Sequence, residues 1–233
     1  MNNTLLFVYK SMKTENTKFN ISEIFYSIQG EGSRAGMPCV FIRLQGCNFR
    51  CDWCDTPYAL ESNDDAEWMT GAQILEKVNS FECDFVEFTG GEPLFQKDSV
   101  DLINDFVDNG FLVAIETNGY HTFENLNSAA VKIMDIKCPG SRMQRFNNPD
   151  NFKYLTQNDE LKFVVLNKSD FDWAVNYIKE NDLFAKVSIV LFSPVFGKLE
   201  PVQLSEWILE SHLPIRLQLQ IHKFIWEPNT RGV

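Results

Sequence analysis

The chain has no apolar run near the ~18 residues that a membrane-spanning helix needs. Its first ten residues lack the basic flank and small-residue cleavage site of a secretory signal. Positive charge is scarce: 21 Lys and Arg against 32 Asp and Glu leave a formal charge of −11. That balance argues against a protein that lives on nucleic acid by bulk electrostatics. There is no internal repeat, no low-complexity tract and no Pro- or Gly-rich linker, which excludes a solenoid or a string of modules. What is present is ordinary globular composition, with 44% hydrophobic residues in a chain of 233. These features predict one cytoplasmic globular core, with no membrane and no nucleic-acid partner.

Residues 1–18 carry no clear period and are expected to form a loose N-terminal extension to a core domain over 19–233. Strand-like runs cover 21–28, 39–44, 85–88, 112–115, 131–136, 161–166, 187–191 and 215–221, and helical patterns cover 70–79, 99–109, 170–181 and 201–211. Asn109-Gly110 reads as a helix end, and Ser169-Asp170 as a helix start. Alternation of strand and helix implies parallel strands joined by right-handed crossovers. Counting from residue 39 there are about seven, enough for a partial (β/α) barrel. In such barrels the chemistry collects where strands end.

Six cysteines could suggest disulfides, but a core of this size needs no staples and no secretory signal precedes it. Cys39, Cys83 and Cys138 are scattered, whereas Cys47, Cys51 and Cys54 crowd into Gly46-Cys-Asn-Phe-Arg-Cys-Asp-Trp-Cys-Asp-Thr-Pro57. Their C-x3-C-x2-C spacing would line one face of a helix, yet Gly46, Pro57 and the lack of flanking apolar periodicity weaken that reading. Zinc would call for a fourth ligand, and the nearest histidine is the distant His121. Three thiolates instead suit a 4Fe-4S cluster with one iron left open to a small chelate. A second motif, Phe85-Val-Glu-Phe-Thr-Gly-Gly-Glu-Pro-Leu94, ends an apolar run in two glycines and a carboxylate. Glycines admit a ligand close to the backbone, and a carboxylate there can receive an ammonium. A third, Ile115-Glu-Thr-Asn-Gly119, again follows a strand and reads either as a ligand site or as an Asn-Gly turn.

With these motifs the chain resembles the radical S-adenosylmethionine (SAM) superfamily, whose members share the cysteine loop and an aromatic residue before its last cysteine, here Trp53. The resemblance implies a partial barrel of the radical SAM type. It implies a 4Fe-4S cluster on Cys47, Cys51 and Cys54, with the methionyl end of SAM chelating the open iron and yielding a 5′-deoxyadenosyl radical. Gly91 and Glu92 would meet the SAM amine, Glu116 and Asn118 its ribose, and Asp135, Ile136 and Lys137 a further edge of it.

Within the superfamily, Phe25-Tyr-Ser-Ile-Gln-Gly-Glu-Gly32 ahead of the cysteine loop resembles the 7-carboxy-7-deazaguanine synthase family. That resemblance implies ring contraction of 6-carboxy-5,6,7,8-tetrahydropterin to 7-carboxy-7-deazaguanine with loss of ammonia, with SAM regenerated. It carries Ile28, Gln29 and Gly30 to the pterin edge, Arg43 to the carboxylate, Thr89 to a further substrate contact and Thr56 to Mg²⁺. His222, in Gln220-Ile-His-Lys223, either reaches the substrate or is a rim histidine. A flavodoxin or ferredoxin as electron donor and a homodimer follow from the same resemblance. The rivals are a glycyl-radical-enzyme activase, which lacks the Gln-Gly-Glu-Gly segment and Arg43, and an iron–sulfur sensor, which needs no SAM-binding strand ends.

Overall fold

The computed structural model describes residues 10–61 and 66–233. Among them one sheet runs in the order β3-β1-β2-β4-β5-β6-β7-β8-β9. The strands are β1 Lys18–Ile28, β2 Pro38–Leu44, β3 Glu67–Thr70, β4 Phe85–Gly90, β5 Leu112–Thr117, β6 Val131–Asp135, β7 Glu160–Val165, β8 Ile189–Pro194 and β9 Arg216–Leu217. β1 is antiparallel to both β2 and β3, and from β2 onward every pair is parallel. The seven parallel strands anticipated from residue 39 onward are therefore present, and because β3 and β9 are not paired with each other the barrel is partial.

Helices α1 Gly71–Asn79, α2 Ser99–Asp108, α3 Lys168–Glu180 and α4 Pro201–Ser211 cover the outer face, and a short α5, His222–Ile225, follows β9. Each is held by local chemistry. Thr70 and Gln73 form a reciprocal capping box on α1, and Pro201 opens α4 where its missing N–H costs nothing. The outward residues of the strands, among them Val86, Phe88, Ile115, Met134, Phe163 and Phe192, pack with the helices in the main core. The inward residues divide by height. Cys39, Phe41, Phe85, Ala114 and Ile133 form a small apolar plug. Beyond it, toward the strand ends, stand Arg43, Glu87, Glu116, Asp135 and Lys162, all lining one cavity.

Several elements differ from the sequence reading. Residues 1–9 of the expected extension lie outside the described residues, but the rest of it is anchored. Met12 is buried, and buried Asp105 of α2 accepts from the N–H groups of Lys13 and Thr14 and from the Thr14 hydroxyl. β3 went unread because its four residues earn strand character only by pairing with Lys18, Phe19, Asn20 and Ile21. α3 starts two residues earlier than Ser169-Asp170 suggests: the Asn167 side chain accepts from the Asp170 N–H, while the Asp170 carboxylate accepts from the N–H groups of Gly140 and Leu166. The strand expected over 215–221 shrinks to Arg216–Leu217. The side chains of Gln218 and Gln220 donate to Glu31 and the Ile221 N–H donates to the Gly30 carbonyl, which draws the chain out of the sheet.

At the far end of the barrel from the cavity, Lys132 and Asp159 are 2% and 1% exposed and lie 3.1 Å apart. Removing one partner strands a buried charge. Asp159→Ala should therefore lower unfolding free energy by about 3–5 kcal/mol in urea titrations while leaving cofactor affinity unchanged; a loss well under 1 kcal/mol would contradict this account.

Candidate active site

The strand ends surround a cavity of about 500 Å³. Its floor is made where β2 and β4 run side by side, with Arg43 beside Thr89 and Leu44 beside Gly90. Gly90 has φ +147°, and a Cβ there would fall 2.2 Å from the Leu44 carbonyl oxygen. A Cβ on Gly91 would fall 2.5 Å from the Gly46 oxygen, 2.6 Å from that of Ala59 and 2.8 Å from the Cys47 Cβ. The two glycines thus let one backbone lie directly beneath the cysteine loop. The Gly91 and Glu92 N–H groups donate to the carbonyls of Leu44 and Gly46, and the Gly46 and Cys47 N–H groups donate to Ala59 and Leu60.

The cysteine loop is irregular, so the helical-face alternative for the three thiols does not apply. Phe49 between them is buried against Tyr120 and Phe146, and Arg50 donates to the carbonyls of Cys47 and Phe49. All six cysteines are free thiols, and only Cys47, Cys51 and Cys54 line the cavity. Burial pushes the three thiols up, Cys51 to about 11, against the pull of the Lys137 ammonium. Among the described residues no three His, Cys, Asp or Glu side chains converge as the ligands of one metal ion. Three soft thiols lining one cavity are the donor chemistry of an iron–sulfur cluster, whose binding would release their protons.

Around the thiols stand the other residues singled out in the sequence. Trp53, Gly91, Glu116, Asn118, Asp135 and Lys137 line the cavity, as do Ile28, Gln29, Gly30, Arg43, Thr56, Thr89 and His222. Two do not. Ile136 is fully buried in the main core. Glu92 is also fully buried, and its carboxylate accepts from the Leu94 N–H at 3.0 Å, the Thr117 hydroxyl at 2.7 Å and the Asn118 N–H at 2.7 Å. Within this chain Glu92 braces the end of β5 beneath the loop. Asn118 completes the brace, its side-chain amide donating to Asn48 at 3.0 Å.

Lys137 is paired with Asp135 at 2.7 Å, and that carboxylate holds the ammonium above its usual range despite burial. Among the described residues the other Asp135 oxygen is buried with no hydrogen-bond partner, an acceptor that suits a donor from a ligand. His222 packs edge-on against Gly30, where a Cβ would fall 2.1 Å from its Nδ1, and burial keeps it below the usual imidazole range.

The structure also brings in residues the sequence did not flag. Lys162 is paired with both Glu31 and Glu116. Burial still pushes Glu116 up to about 7, and burial together with Glu116 and Glu31 drives Glu87 well above the usual carboxylate range. The Gln29 side chain donates to Glu87. Asp55 accepts from Lys223 at 3.0 Å, from Gln220 at 3.1 Å and from the Thr56 hydroxyl at 3.1 Å. Lys223 and Gln220 hold Asp55, whose side chain is half exposed, below the usual carboxylate range. Residues 228–233 of the tail line the mouth. A charged residue at an inward strand position looks like a solvent-face residue until the barrel closes around it, and the only signal was its recurrence near the ends of successive strands.

A parallel partial barrel with three thiols over a Gly-Gly turn defines a radical SAM protein, and residues 41–137 match the radical SAM superfamily. The chain is 45% identical over 226 residues to the 7-carboxy-7-deazaguanine synthase of Chlorobaculum tepidum, covering 95% of this chain and 100% of that one. It is 40% identical to that of Koribacter versatilis, covering 91% and 99%. The fold matches the crystal structure of QueE from Escherichia coli with a TM-score of 0.68 at 23% identity, covering 86% and 94% of the two chains. The chain belongs to the 7-carboxy-7-deazaguanine synthase family of radical SAM enzymes.

The glycine floor yields a direct test. Gly91→Ala must push the cysteine loop off the end of β4, so it should cost about 1–3 kcal/mol of stability and reduce iron uptake on anaerobic reconstitution. Wild-type stability and iron content in that variant would show that the two backbones have room to part.

Proposed function

We propose that this chain converts 6-carboxy-5,6,7,8-tetrahydropterin to 7-carboxy-7-deazaguanine, losing ammonia. Family membership supports the reaction, and one observation ties it to this cavity. Arg43 lines the same cavity as the three thiols and is 16% exposed, and among the described residues only its Nε is engaged, by Glu23 at 2.8 Å. A partly buried guanidinium whose terminal nitrogens meet no partner among the described residues suits a carboxylate ligand, which its fork can take through two charge-assisted bonds.

In this reading Cys47, Cys51 and Cys54 would hold a 4Fe-4S cluster, which together with SAM would supply the radical chemistry. The chain's own groups bind and orient. Trp53, Gly91, Glu116, Asn118, Asp135 and Lys137 face SAM, and the open Asp135 oxygen takes one of its donors. Ile28, Gln29, Gly30, Thr89 and His222 meet the pterin, with Arg43 on its carboxylate. Glu92 and Ile136 serve this site from beneath, by holding the strand ends. Thr56 and Asp55 offer hard oxygen atoms on the cavity wall, a donor chemistry that suits Mg²⁺ beside the substrate carboxylate. A homodimer, a cytoplasmic location and a flavodoxin or ferredoxin as electron donor belong to the same reading. Among the described residues no helix is long and apolar enough to cross a membrane.

Two experiments test the proposal. Cys47→Ala, Cys51→Ala and Cys54→Ala should each abolish the visible iron–sulfur absorption and SAM cleavage, whereas Cys83→Ala should keep the about four irons of a full cluster. A SAM-cleaving cluster in Cys51→Ala would remove the thiol assignment. Arg43→Lys should weaken carboxytetrahydropterin binding by more than the ~1.5–3 kcal/mol of one charge-assisted bond and leave SAM affinity near wild type. Normal pterin binding in that variant, or labelled substrate that passes no hydrogen to SAM, would overturn the substrate reading and favour the activase.

A further inference from the structure

Tyr58 stands on a single 3-10 turn, Pro57–Ala59, directly after the cysteine loop. Its hydroxyl donates to Glu23 Oε1 at 2.8 Å, and Arg43 Nε donates to the same oxygen at 2.8 Å. Glu23 and Arg43 are cross-strand partners in the β1–β2 pair. From the tail, the Arg231 guanidinium lies over the Tyr58 ring, 3.9 Å from its centroid. The Arg43 guanidinium sits 6.0 Å from the centroids of Phe25 and Tyr58. Glu23, Phe25, Arg43, Tyr58 and Arg231 all line the cavity.

A guanidinium on a flexible stem recognises a carboxylate well only when its plane is fixed before the ligand arrives. Here the plane is fixed by the Glu23 carboxylate on the side away from the terminal nitrogens, while two rings flank it. The Glu23 oxygen that does this is itself held by the Tyr58 hydroxyl, and the Tyr58 ring is held by the tail. We propose that Glu23 and Tyr58 are positioning residues that aim Arg43 at the substrate carboxylate, with Arg231 clamping Tyr58, so that this chain of contacts sets the preference for carboxylated over uncarboxylated pterins. The inference rests on the substrate reading above and extends it to residues that touch Arg43 and not the reacting atoms.

The test uses the anaerobically reconstituted enzyme with SAM bound, titrated with 6-carboxypterin and with pterin by fluorescence. Wild type should prefer the carboxylated ligand. Tyr58→Phe, which keeps the ring under Arg231 and removes the hydroxyl, should shrink that preference by about tenfold. Glu23→Gln, which keeps an acceptor but not its charge, should shrink it at least as far. In turnover, KM for carboxytetrahydropterin should rise while kcat stays within about twofold, because the aim of Arg43 changes and the reacting centre does not. Iron content and SAM affinity should match wild type in both variants. An unchanged preference in both variants overturns the positioning role, as does a parallel loss of SAM affinity and iron, which marks a merely structural contact. A wild-type enzyme without any preference would instead overturn the substrate reading on which the inference stands.

Discussion

Two backbones meet with no side chain between them where Gly90 and Gly91 lie against Leu44, Gly46 and Cys47. Nearly everything at the strand ends is referred to that contact. The Glu92 N–H is fixed by Gly46, and its buried carboxylate gathers Leu94, Thr117 and Asn118. Asn118 then returns to Asn48 within the cysteine loop. The circuit makes β2, β4, β5 and the loop one unit, so a displacement at any point moves the three thiols. A carboxylate with three donors of its own is costly to unmake, which lets Glu92 brace the strand ends.

Above the apolar plug the barrel carries more charge than a stable core would choose. Glu31, Glu87, Glu116 and Asp135 face Lys162 and Lys137 within one cavity. Two ammonium groups face four carboxylates, of which Glu87 and Asp135 are buried and Glu31 and Glu116 partly so. Glu87 is driven well above the usual carboxylate range and Glu116 to about 7, while Lys162 is held above the usual range for an ammonium. Apolar packing of equal volume would be as stable or more so. A concentration of displaced titrations in a cleft is the pattern of a site that moves protons or orients polar ligands.

The outer architecture was legible because its causes are local. Apolar period, Pro201 at a helix start and Gly110 beyond a helix end each act within a few residues, and α1, α2 and α4 fall within a residue or so of the expected spans. The cysteine loop and the Gly-Gly turn were legible for another reason, since tight spacing and absent side chains are written in the sequence itself. What stayed hidden depends on distant partners. Lys162 lies in an alternating strand, where a charge reads as solvent-facing; its inward direction is set by the register of β6 and β7. Tyr58 and Glu23 are 35 residues apart, and the Tyr58 hydroxyl reaches the Glu23 carboxylate only because β1 lies beside the loop. β9 reads as seven residues of strand, but the glutamines within it prefer Glu31 to the ladder.

That same preference shows how a partial barrel encloses a cavity without closing its sheet. The gap between β9 and β1 is bridged by side chains and loop backbone, not by a strand pair. Gln218 and Gln220 donate to Glu31, Gly32 donates to Gln218, and Ile221 donates to Gly30. Beyond the bridge, His222 seats against Gly30 and Lys223 reaches Asp55 beside Thr56. A continuous ladder there would fix every atom by backbone geometry and leave the inner face to ordinary packing. Glutamine and lysine side chains close the wall and present polar atoms to the cavity at the same time. The segment that seals the barrel is thereby part of its lining, and the last residues of the chain, 228–233, continue that wall around the mouth toward Tyr58.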